Sequence, residues 1–491
     1  METNHPGTFW LEQTSQDRPI IGVGTSLAGF MGKFQKGVLN QAVEVTSWAD
    51  FVDKFGGIYK NTADYITAYC IRDFFKKGTR AYVVRVAHSD AEKSTINIPD
   101  TASVPVDILQ VDALSEGLWS EGFDVVASAG TISGFKLVVK DADGVVLETF
   151  DNLSNTLTDS NYVLDMINGI SQYVKITRLA DITATKTLAY ATYTLTGGLD
   201  GGTVTTAEYT GDQATKTGLY AFDAVDEMMN LSVPVDTDAV VTACDAYCAS
   251  RGTMFFVHTA PKVSTTPALA KAWKLALTVQ STYASYYFPW LKVSDPLSST
   301  SATLLIPADG YVLGEYASSD NSRGVHKAPG GVSTVSPSAL GLAYNVSDAE
   351  QDTLNPYGLN CIRQFKGLGI VIWGVRVADL TDTTMIYVNK RRTLNYIKMT
   401  GQKNTRWTVF EPNDVVLRKN IVVAWTQFLA QMFKDGALVG NTASDAFFVV
   451  CDNTNNTAST RSAGQVITDI GVALSTPGEF IIFRISQKTA N

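Results

Sequence analysis

A short apolar segment near the C-terminus, FIIFRI at Phe480–Ile485, most tightly constrains how this 491-residue chain can fold. Its composition predicts a β-strand that is apolar on both faces, and such strands usually lie inside a sheet. A segment near a chain end is usually loose unless other elements hold it. The strand therefore either occupies a central position in the chain's own sheet or pairs with a neighbouring copy, and the residues leave both options open.

The region before this segment is predicted to form a strand and then a long amphipathic helix. Alternation of apolar and polar residues over Trp407–Phe410 predicts the strand, and Pro412 ends it. Asn413 or Asp414 can cap the helix, and Gly436 is a suitable stop. Spacings of three and four residues predict one buried stripe, formed by Leu417, Ile421, Trp425, Phe428 and Met432.

The first twenty residues are predicted to form an extended arm. They contain a short segment with three large apolar side chains, followed by a polar stretch; the segment consists of Thr8, Phe9, Trp10, Leu11 and Glu12. Such a segment cannot bury itself alone. We therefore expect it to pack on its own domain or on another subunit.

Between the two ends, the chain changes character twice. Strands and helices alternate over 21–94 and again over 211–378, which predicts α/β structure. Residues 95–210 are rich in Thr, Ser, Asp, Val and Gly, and short alternating runs are separated by turns such as Asp141–Gly144. This pattern predicts an all-β insertion.

Composition excludes several classes of function. The net charge of −9 offers no general basic surface for nucleic acid. No apolar run of about eighteen residues exists, so we expect no membrane-spanning helix, and the N-terminus does not resemble a secretory signal. The five cysteines are odd in number and sparse, which suits a reducing compartment, and we expect Cys244 and Cys248 to be buried apolar residues rather than metal ligands.

Motifs for catalysis or cofactor binding are not found in the sequence. Gly22, Gly24 and Gly29 fit neither phosphate-loop spacing, and no HExxH or GxSxG motif occurs. His258 ends a predicted buried strand, a position where α/β enzymes often keep catalytic groups. An ordinary strand-end histidine is the favoured interpretation, so we predict no catalytic, cofactor or metal site.

An ordered set of motifs resembles the contractile tail sheath proteins of myophages, R-type bacteriocins and related injection systems. The resemblance runs over almost the whole chain and is weakest over 95–205. Its main motifs are SYYFPWLKVSDP at 285–296, IPADGYVLG at 306–314, RGVHKAPGG at 323–331, DAEQDTLNPYGLNCIR at 348–363 and GIVIWGVR at 369–376.

The resemblance implies a multidomain α/β (α+β) fold. It comprises a discontinuous core with a mixed sheet, a subtilisin-like α/β middle domain, an all-β insertion, and extended N- and C-terminal arms. The expected divisions are an N-terminal arm (1–20), the first part of the core (21–94), the insertion (95–210), the middle domain (211–378), a C-terminal domain (379–478) and a C-terminal arm (479–491). "Subtilisin-like" describes the fold only, because no triad motif accompanies it.

The resemblance also implies a function. Sheath subunits polymerise helically, as stacked hexameric rings, around an inner tail tube, and they contract to drive the tube through a cell envelope. Arms of neighbouring subunits add strands to a sheet of the C-terminal domain, which assigns that role here to Thr8–Glu12 and to Phe480, Ile481, Ile482, Phe483, Arg484 and Ile485. The implied partners are further copies of the chain, the tube protein, and baseplate and tail terminator proteins, without nucleic acid, direct membrane insertion or cofactor. The implied location is the virion tail or an injection particle, assembled in the bacterial host cytoplasm.

The C-terminal domain of such proteins faces the tube, so the helix after Asp414 is a candidate for tube contact. The residues expected on its exposed face are Arg418, Lys419, Gln427, Gln431 and Lys434. The alternative is a helix that merely supports its own domain. Two other functions remain open: a static filament or surface-layer protein, and a hydrolase with a subtilisin-like core. A Ser/His/Asp cluster around His258 would favour the hydrolase.

Overall fold

The computed structural model describes residues 19–60, 62–179, 188–300 and 302–482. The strands within these ranges are β1 Ala28–Gly32, β2 Ala42–Val45, β3 Ala81–Arg85, β4 Thr95–Pro99, β5 Asp107–Ala113, β6 Asp124–Ala129, β7 Phe135–Lys140, β8 Val146–Leu153, β9 Val174–Arg178, β10 Thr192–Thr194, β11 Met229–Ser232, β12 Met254–Thr259, β13 Ala284–Phe288, β14 Leu291–Ser294, β15 Thr303–Ile306, β16 Gly341–Leu342, β17 Leu359–Phe365, β18 Gly369–Ile372, β19 Phe447–Val450 and β20 Asp469–Val472.

The α-helices in the same ranges are α1 Trp48–Phe55, α2 Ile66–Phe74, α3 Val163–Ile167, α4 Thr206–Thr210, α5 Asp238–Arg251, α6 Pro267–Ala276, α7 Asp309–Arg323, α8 Asp348–Leu354, α9 Val388–Asn404, α10 Val415–Lys434, α11 Ala443–Ala446 and α12 Ala458–Ser462. The described residues fold into two compact units. The C-terminal unit contains residues 19–24, 323–328 and 389–482, and the main unit contains the rest.

The main unit is built on an eight-stranded sheet in the order β18-β17-β13-β12-β11-β1-β3-β2. The six inner strands are parallel, and the two edge strands, β18 and β2, run antiparallel to their neighbours. Strands from before and after the β-rich insertion therefore join in one mixed sheet. The predicted α/β architecture is confirmed at this level.

Each face of this sheet is covered by its own apolar core, because neighbouring residues of a strand point to opposite faces. In β12, Phe255 and Val257 belong to the core that contains α2 and α7, whereas Met254 and Phe256 belong to the core that contains α5. All four side chains are fully buried. Burial on both faces explains why apolar residues predominate in these inner strands.

Local sequence signals fix several element ends. The side chain of Ser47 accepts the Asp50 backbone N–H and caps α1, and Gly56 ends that helix with a left-handed φ of 87°. Gly252 ends α5 in the same way, with φ 69°. These caps satisfy backbone groups that the helix itself leaves unpaired.

The β-rich insertion forms two further sheets within the main unit. One has the order β10-β6-β7-β8 and the other the order β4-β5-β9. They share an apolar core that includes Leu109, Val111, Val125 and Leu137. The predicted turn Asp141–Gly144 joins β7 to β8, with Gly144 at φ 83°. The two ends of the insertion meet at an antiparallel bridge between Glu92 and Leu199.

Candidate interaction surfaces of the C-terminal unit

Helix α9 holds the stretch of chain that follows the predicted N-terminal arm. Asn404, its last residue, accepts the Ile21 N–H at 3.0 Å through Oδ1 and donates to the Ile21 carbonyl at 2.8 Å through Nδ2. A Cβ on Gly22 would lie 2.0 Å from the hydroxyl of Tyr396. The chain therefore runs close along α9, and a side chain at position 22 would require Tyr396 to move.

The other end of α9 holds the stretch that leads to the predicted C-terminal arm. Asn389 Nδ2 donates to the carbonyl of Ser475 at 3.1 Å and to that of His326 at 2.8 Å. Asn389 and Asn404 are about four helical turns apart. One helix thus holds the roots of both predicted arms, near its opposite ends.

A two-stranded antiparallel sheet, β19 with β20, lies in the same unit. Among the residues that the structure describes, each of these strands is hydrogen-bonded along one edge only. A largely apolar groove of about 300 Å³ runs beside β20, lined by Leu394, Ile397, Lys398, Gly401, Gln402, Trp425, Ile470 and Val472. Open strand edges beside an apolar groove are a suitable place for an added strand.

Part of the predicted C-terminal arm lies within the described chain. Phe480, Ile481 and Ile482 are outside any strand, and their side chains are 70%, 74% and 79% exposed. They do not occupy a central position in the chain's own sheet. Thr8–Glu12 and Phe483–Ile485 lie outside the described residues, so strand pairing by either arm stays a prediction.

The predicted amphipathic helix is α10, and its stripe is buried as expected: Leu417, Ile421, Trp425, Phe428 and Met432. Asp414 caps the helix by accepting the Leu417 N–H at 2.7 Å. Gly436 follows its C-terminal end with φ 75°, which is a typical helix stop.

One of the five residues expected on the exposed face of α10 does not lie there. Arg418 is 3% exposed, and its guanidinium donates to Oδ1 of Asn413 at 2.8 Å and to Oδ1 of Asn453 at 3.3 Å. Arg418 follows Leu417 and precedes Ile421, and it faces the buried side of the helix with these two stripe residues. Its placement on the exposed face was wrong, because one of the groups that satisfy it, Asn453, is 35 residues away and the sequence does not reveal its proximity. Lys419, Gln427, Gln431 and Lys434 are exposed.

The predicted strand over Trp407–Phe410 is also wrong. A 3-10 turn spans Arg406–Thr408, directly after α9, and the Glu411 N–H then bonds to the Thr408 carbonyl. Phe410 has a left-handed φ of 67°, which is rare for a bulky residue, and its side chain is fully exposed. The apolar alternation therefore reflects a tight, exposed turn rather than a half-buried strand.

A second groove, of about 290 Å³, lies between this turn and the exposed side of α10. Its lining residues are Trp407, Glu411, Pro412, Asp414, Val416, Leu417, Asn420, Val423, Ala424 and Gln427. Val416 and Val423, seven residues apart, present half or more of their side chains to solvent. Sequence reasoning missed this surface, although two β-branched residues on the polar side of a helix were a usable signal.

A Ser/His/Asp cluster does surround His258, but its geometry is not that of a catalytic triad. Ser232 donates to Asp309 at 2.8 Å, Thr259 donates to the same carboxylate, and His258 Nδ1 lies 3.7 Å from it. In a triad the serine bonds to the histidine. All four side chains are at most 1% exposed, and burial lowers the pKa of His258. The cluster therefore has neither the hydrogen bond nor the access that hydrolysis needs.

Other candidate chemistry is equally limited. Cys244 and Cys248 are buried, as predicted, and burial raises the pKa of both thiols. Within the described ranges, no group of three or more His, Cys, Asp or Glu side chains is arranged to hold a metal ion. No helix in those ranges is both long and apolar enough to cross a membrane.

Solved sheath proteins have a fold similar to that of this chain. The contracted sheath of an extracellular contractile injection system, PVC, matches with a TM-score of 0.60 and 21% identity over 99% of both chains. The sheath tail protein of Listeria innocua matches with a TM-score of 0.62 and 14% identity, over 93% of this chain and 96% of that one. These likenesses describe the fold.

Sequence comparison identifies the family. The phage tail sheath protein central domain matches residues 202–377, and the phage tail sheath C-terminal domain matches residues 381–488. This chain belongs to the phage tail sheath protein family. The tail sheath protein of Vibrio phage KVP40 is 25% identical over 201 residues, 40% of this chain and 28% of that protein. That of Enterobacteria phage T4 is 25% identical over 166 residues, 33% of this chain and 24% of that protein. The matched stretch thus spans less than a third of the length of either relative.

Proposed function

We propose that this chain is a structural, non-enzymatic subunit of a contractile sheath, which polymerises helically around an inner tube and contracts to drive the tube through a cell envelope. The observation that carries the proposal is the open sheet of β19 and β20, beside an apolar groove, in a chain whose Phe480–Ile482 segment is exposed. Family membership over residues 202–377 and 381–488 supports it.

In this proposal, the exposed C-terminal segment of one copy binds the open edge of the β19–β20 sheet of the next copy. A neighbour's Phe480–Ile485 adds to the edge of β20, where backbone N–H and C=O groups gain partners and the groove covers alternate side chains. The contact joins different surfaces of the two copies. Because such a contact need not close on itself, repetition produces a helical tube.

The N-terminal arm takes a second edge in the same way, with Thr8–Glu12 as the donated strand. Because Asn404 holds Ile21 and Asn389 holds Ser475, each arm starts from a fixed point on α9. The arms then act as hinges that keep neighbours connected while their compact units move. The extended sheath would be a kinetically held state, and the contracted one would bury more surface.

The exposed side of α10 is the proposed contact with the inner tube, through Lys419, Gln427, Gln431 and Lys434. Baseplate and tail terminator proteins would bind the two ends of the assembly. A structure of an anti-feeding prophage baseplate contains a chain of this fold, with a TM-score of 0.58. The particle would be a phage tail or a contractile injection system assembled in the bacterial cytoplasm, with no cofactor.

Electron microscopy of the full chain, alone and with tail tubes from its own particle, tests the proposal. We expect hollow tubes in two forms, one long and narrow, the other short and wide. A chain that lacks residues 1–18 should remain folded and form no contractile tubes. Phe480→Asp with Ile482→Asp should do the same, whereas Ile132→Asp, at an 87% exposed site in the insertion, should assemble normally.

Three outcomes would count against the proposal. A single lattice under all conditions would indicate a static filament. Dispersed monomers under all conditions would remove the assembly itself. Normal contraction by the chain without residues 1–18 would refute the role of the N-terminal arm.

A further inference from the structure

The largely apolar groove beside β20 lies on the same helix that holds the stretch after the predicted N-terminal arm. Gly401, one of its lining residues, is three residues before Asn404, which bonds to both backbone groups of Ile21. Ile20 packs against the apolar core to which Trp425 of the groove belongs. The chain therefore enters the C-terminal unit about one helical turn from the groove.

Residues 1–18 precede this point, and they contain a segment that suits the groove. Phe9–Leu11 is apolar, like most of the lining, and Glu12 follows it, whereas Lys398 is the charged residue of the lining. The C-terminal arm carries Arg484, which has the same charge as Lys398. Because opposite charges attract, charge complementarity favours the N-terminal segment over the C-terminal one.

The N-terminal segment is long enough to reach the groove of its own copy. Glu12 is nine residues before Ile21, and an extended chain of that length spans about 30 Å. Leu394, the lining residue of α9 farthest from Asn404, is about 15 Å from it along the helix. A tethered segment has an effective concentration on the order of mM, so a neighbour's segment at lower concentration competes poorly with it.

We propose that Phe9–Leu11 of each free subunit covers the groove of its own copy and thereby blocks the open edge of β20 until assembly. This inference rests on the proposed function, in which a neighbour's C-terminal arm adds to that edge, and it supplies the regulation of the edge. The cover protects an open strand edge that would otherwise pair with unintended chains. A neighbour's arm, supported by the other contacts of the growing sheath, displaces the segment, which is then free to act as a donated strand.

Binding of a fluorescent peptide with the sequence of residues 476–491 to the full chain, at concentrations where the chain is monomeric, tests the cover. Phe9→Asp with Leu11→Asp should bind the peptide about 10-fold or more tightly than the parent chain does, because the variant leaves the groove open. Thr14→Asp with Gln16→Asp adds the same charge in the polar stretch and should bind as the parent does. Equal binding by all three chains overturns the cover and leaves the proposed function intact.

A cross-link identifies the copy that supplies the segment. In a chain with Glu12→Cys and Gln402→Cys, a short bismaleimide should join the two positions within one chain, with a yield that dilution does not change. The five native cysteines are buried, and Gln402→Cys alone is the control.

Absence of this cross-link overturns the proposal. Cross-linked dimers whose yield rises with concentration also overturn it, because the groove would then take a neighbour's segment. If none of the three chains binds the peptide, docking of the C-terminal arm in the proposed function is refuted, and the cross-link alone decides whether the N-terminal segment covers the groove.

Discussion

At the residue scale, two ionisable side chains, Arg418 and Glu315, are buried and are therefore not available to a partner. Arg418 is withdrawn from the exposed side of α10 because Asn413 and Asn453 supply its hydrogen bonds. Glu315 is buried in α7, where Lys77 lies 2.5 Å away. For each of them, we predict how a substitution changes the stability of the protein.

Arg418→Met should destabilise the C-terminal unit, because it leaves the oxygens of Asn413 and Asn453 without their donor. The expected cost is about 1–3 kcal/mol, measured as faster hydrogen exchange of α10 amides. Lys419→Ala, its exposed neighbour, should change exchange by less than about 0.5 kcal/mol. Equal effects of the two substitutions would contradict the assignment of Arg418 to the interior.

Glu315→Gln should stabilise the chain in a pH-dependent manner. Burial raises the pKa of Glu315 from 4.5 to about 7, against the attraction of Lys77. Between these pH values the unfolded chain ionises Glu315 while the folded chain keeps its proton, so rising pH favours unfolding; above pH 7 the penalty is constant. Glutamine at position 315 does not ionise, so the free energy of unfolding of the variant, relative to that of the parent, should increase from pH 4.5 to 7. The expected increase is on the order of 3 kcal/mol. Thermal melts of both proteins across that range measure it, and a pH-independent difference would contradict it.

At the element scale, α10 serves two surfaces at once. Its stripe closes the core of the C-terminal unit, and its opposite side, with the Phe410 turn, forms the second groove. Both depend on where the helix starts. The Asp414 cap therefore fixes the stability of the first turn and also the position of the loop that presents Phe410.

Asp414→Ala should cost about 1 kcal/mol through loss of the capping hydrogen bond. Hydrogen exchange should show fraying confined to the first turn of α10. Asp435→Ala is the matched control, because a carboxylate at the C-terminal end opposes the helix dipole and its removal should cost little. Fraying of the whole helix in Asp414→Ala would indicate that the cap has a wider role.

At the scale of the whole molecule, the β-rich insertion begins and ends at adjacent points of the main unit. Its ends pair directly, with the Glu92 N–H bonded to the Leu199 carbonyl at 3.1 Å and the Leu199 N–H to the Glu92 carbonyl at 3.0 Å. Further contacts tie it to the main sheet, among them the bond from Arg85 to the Glu116 carbonyl at 2.7 Å. The insertion has its own core.

Replacement of residues 93–198 by Asn-Gly, a turn suited to joining paired strands, should leave the eight-stranded sheet folded. The melting temperature should fall, because Arg85 is 1% exposed and loses the Glu116 carbonyl. Circular dichroism and melting curves measure both effects. Adding Arg85→Met to the shortened chain should recover part of the loss, and an unfolded shortened chain would contradict the prediction.

Sequence patterns predicted local structure well where the deciding contacts are close along the chain. The cap at Asp414, the α10 stripe and the Asp141–Gly144 turn each follow from neighbouring residues. They failed where the deciding partner is distant. Arg418 is buried by a loop near residue 453, and Trp407–Phe410 forms a turn because α9 continues to Asn404. The open edge of β20 and the two asparagines of α9 depend on tertiary contacts that no local pattern encodes.

The position of Asn389 and Asn404 near the two ends of α9 has a mechanical consequence. If both arms carry tension between neighbours, the load enters at Ile21 and leaves at Ser475, and the rod between those points is a single helix. Force would then pass along the helix axis, the direction in which its backbone hydrogen bonds are aligned. The large sheet and its insertion contribute no residue to this path. Tension could therefore pass from copy to copy through successive α9 helices without acting on the main unit.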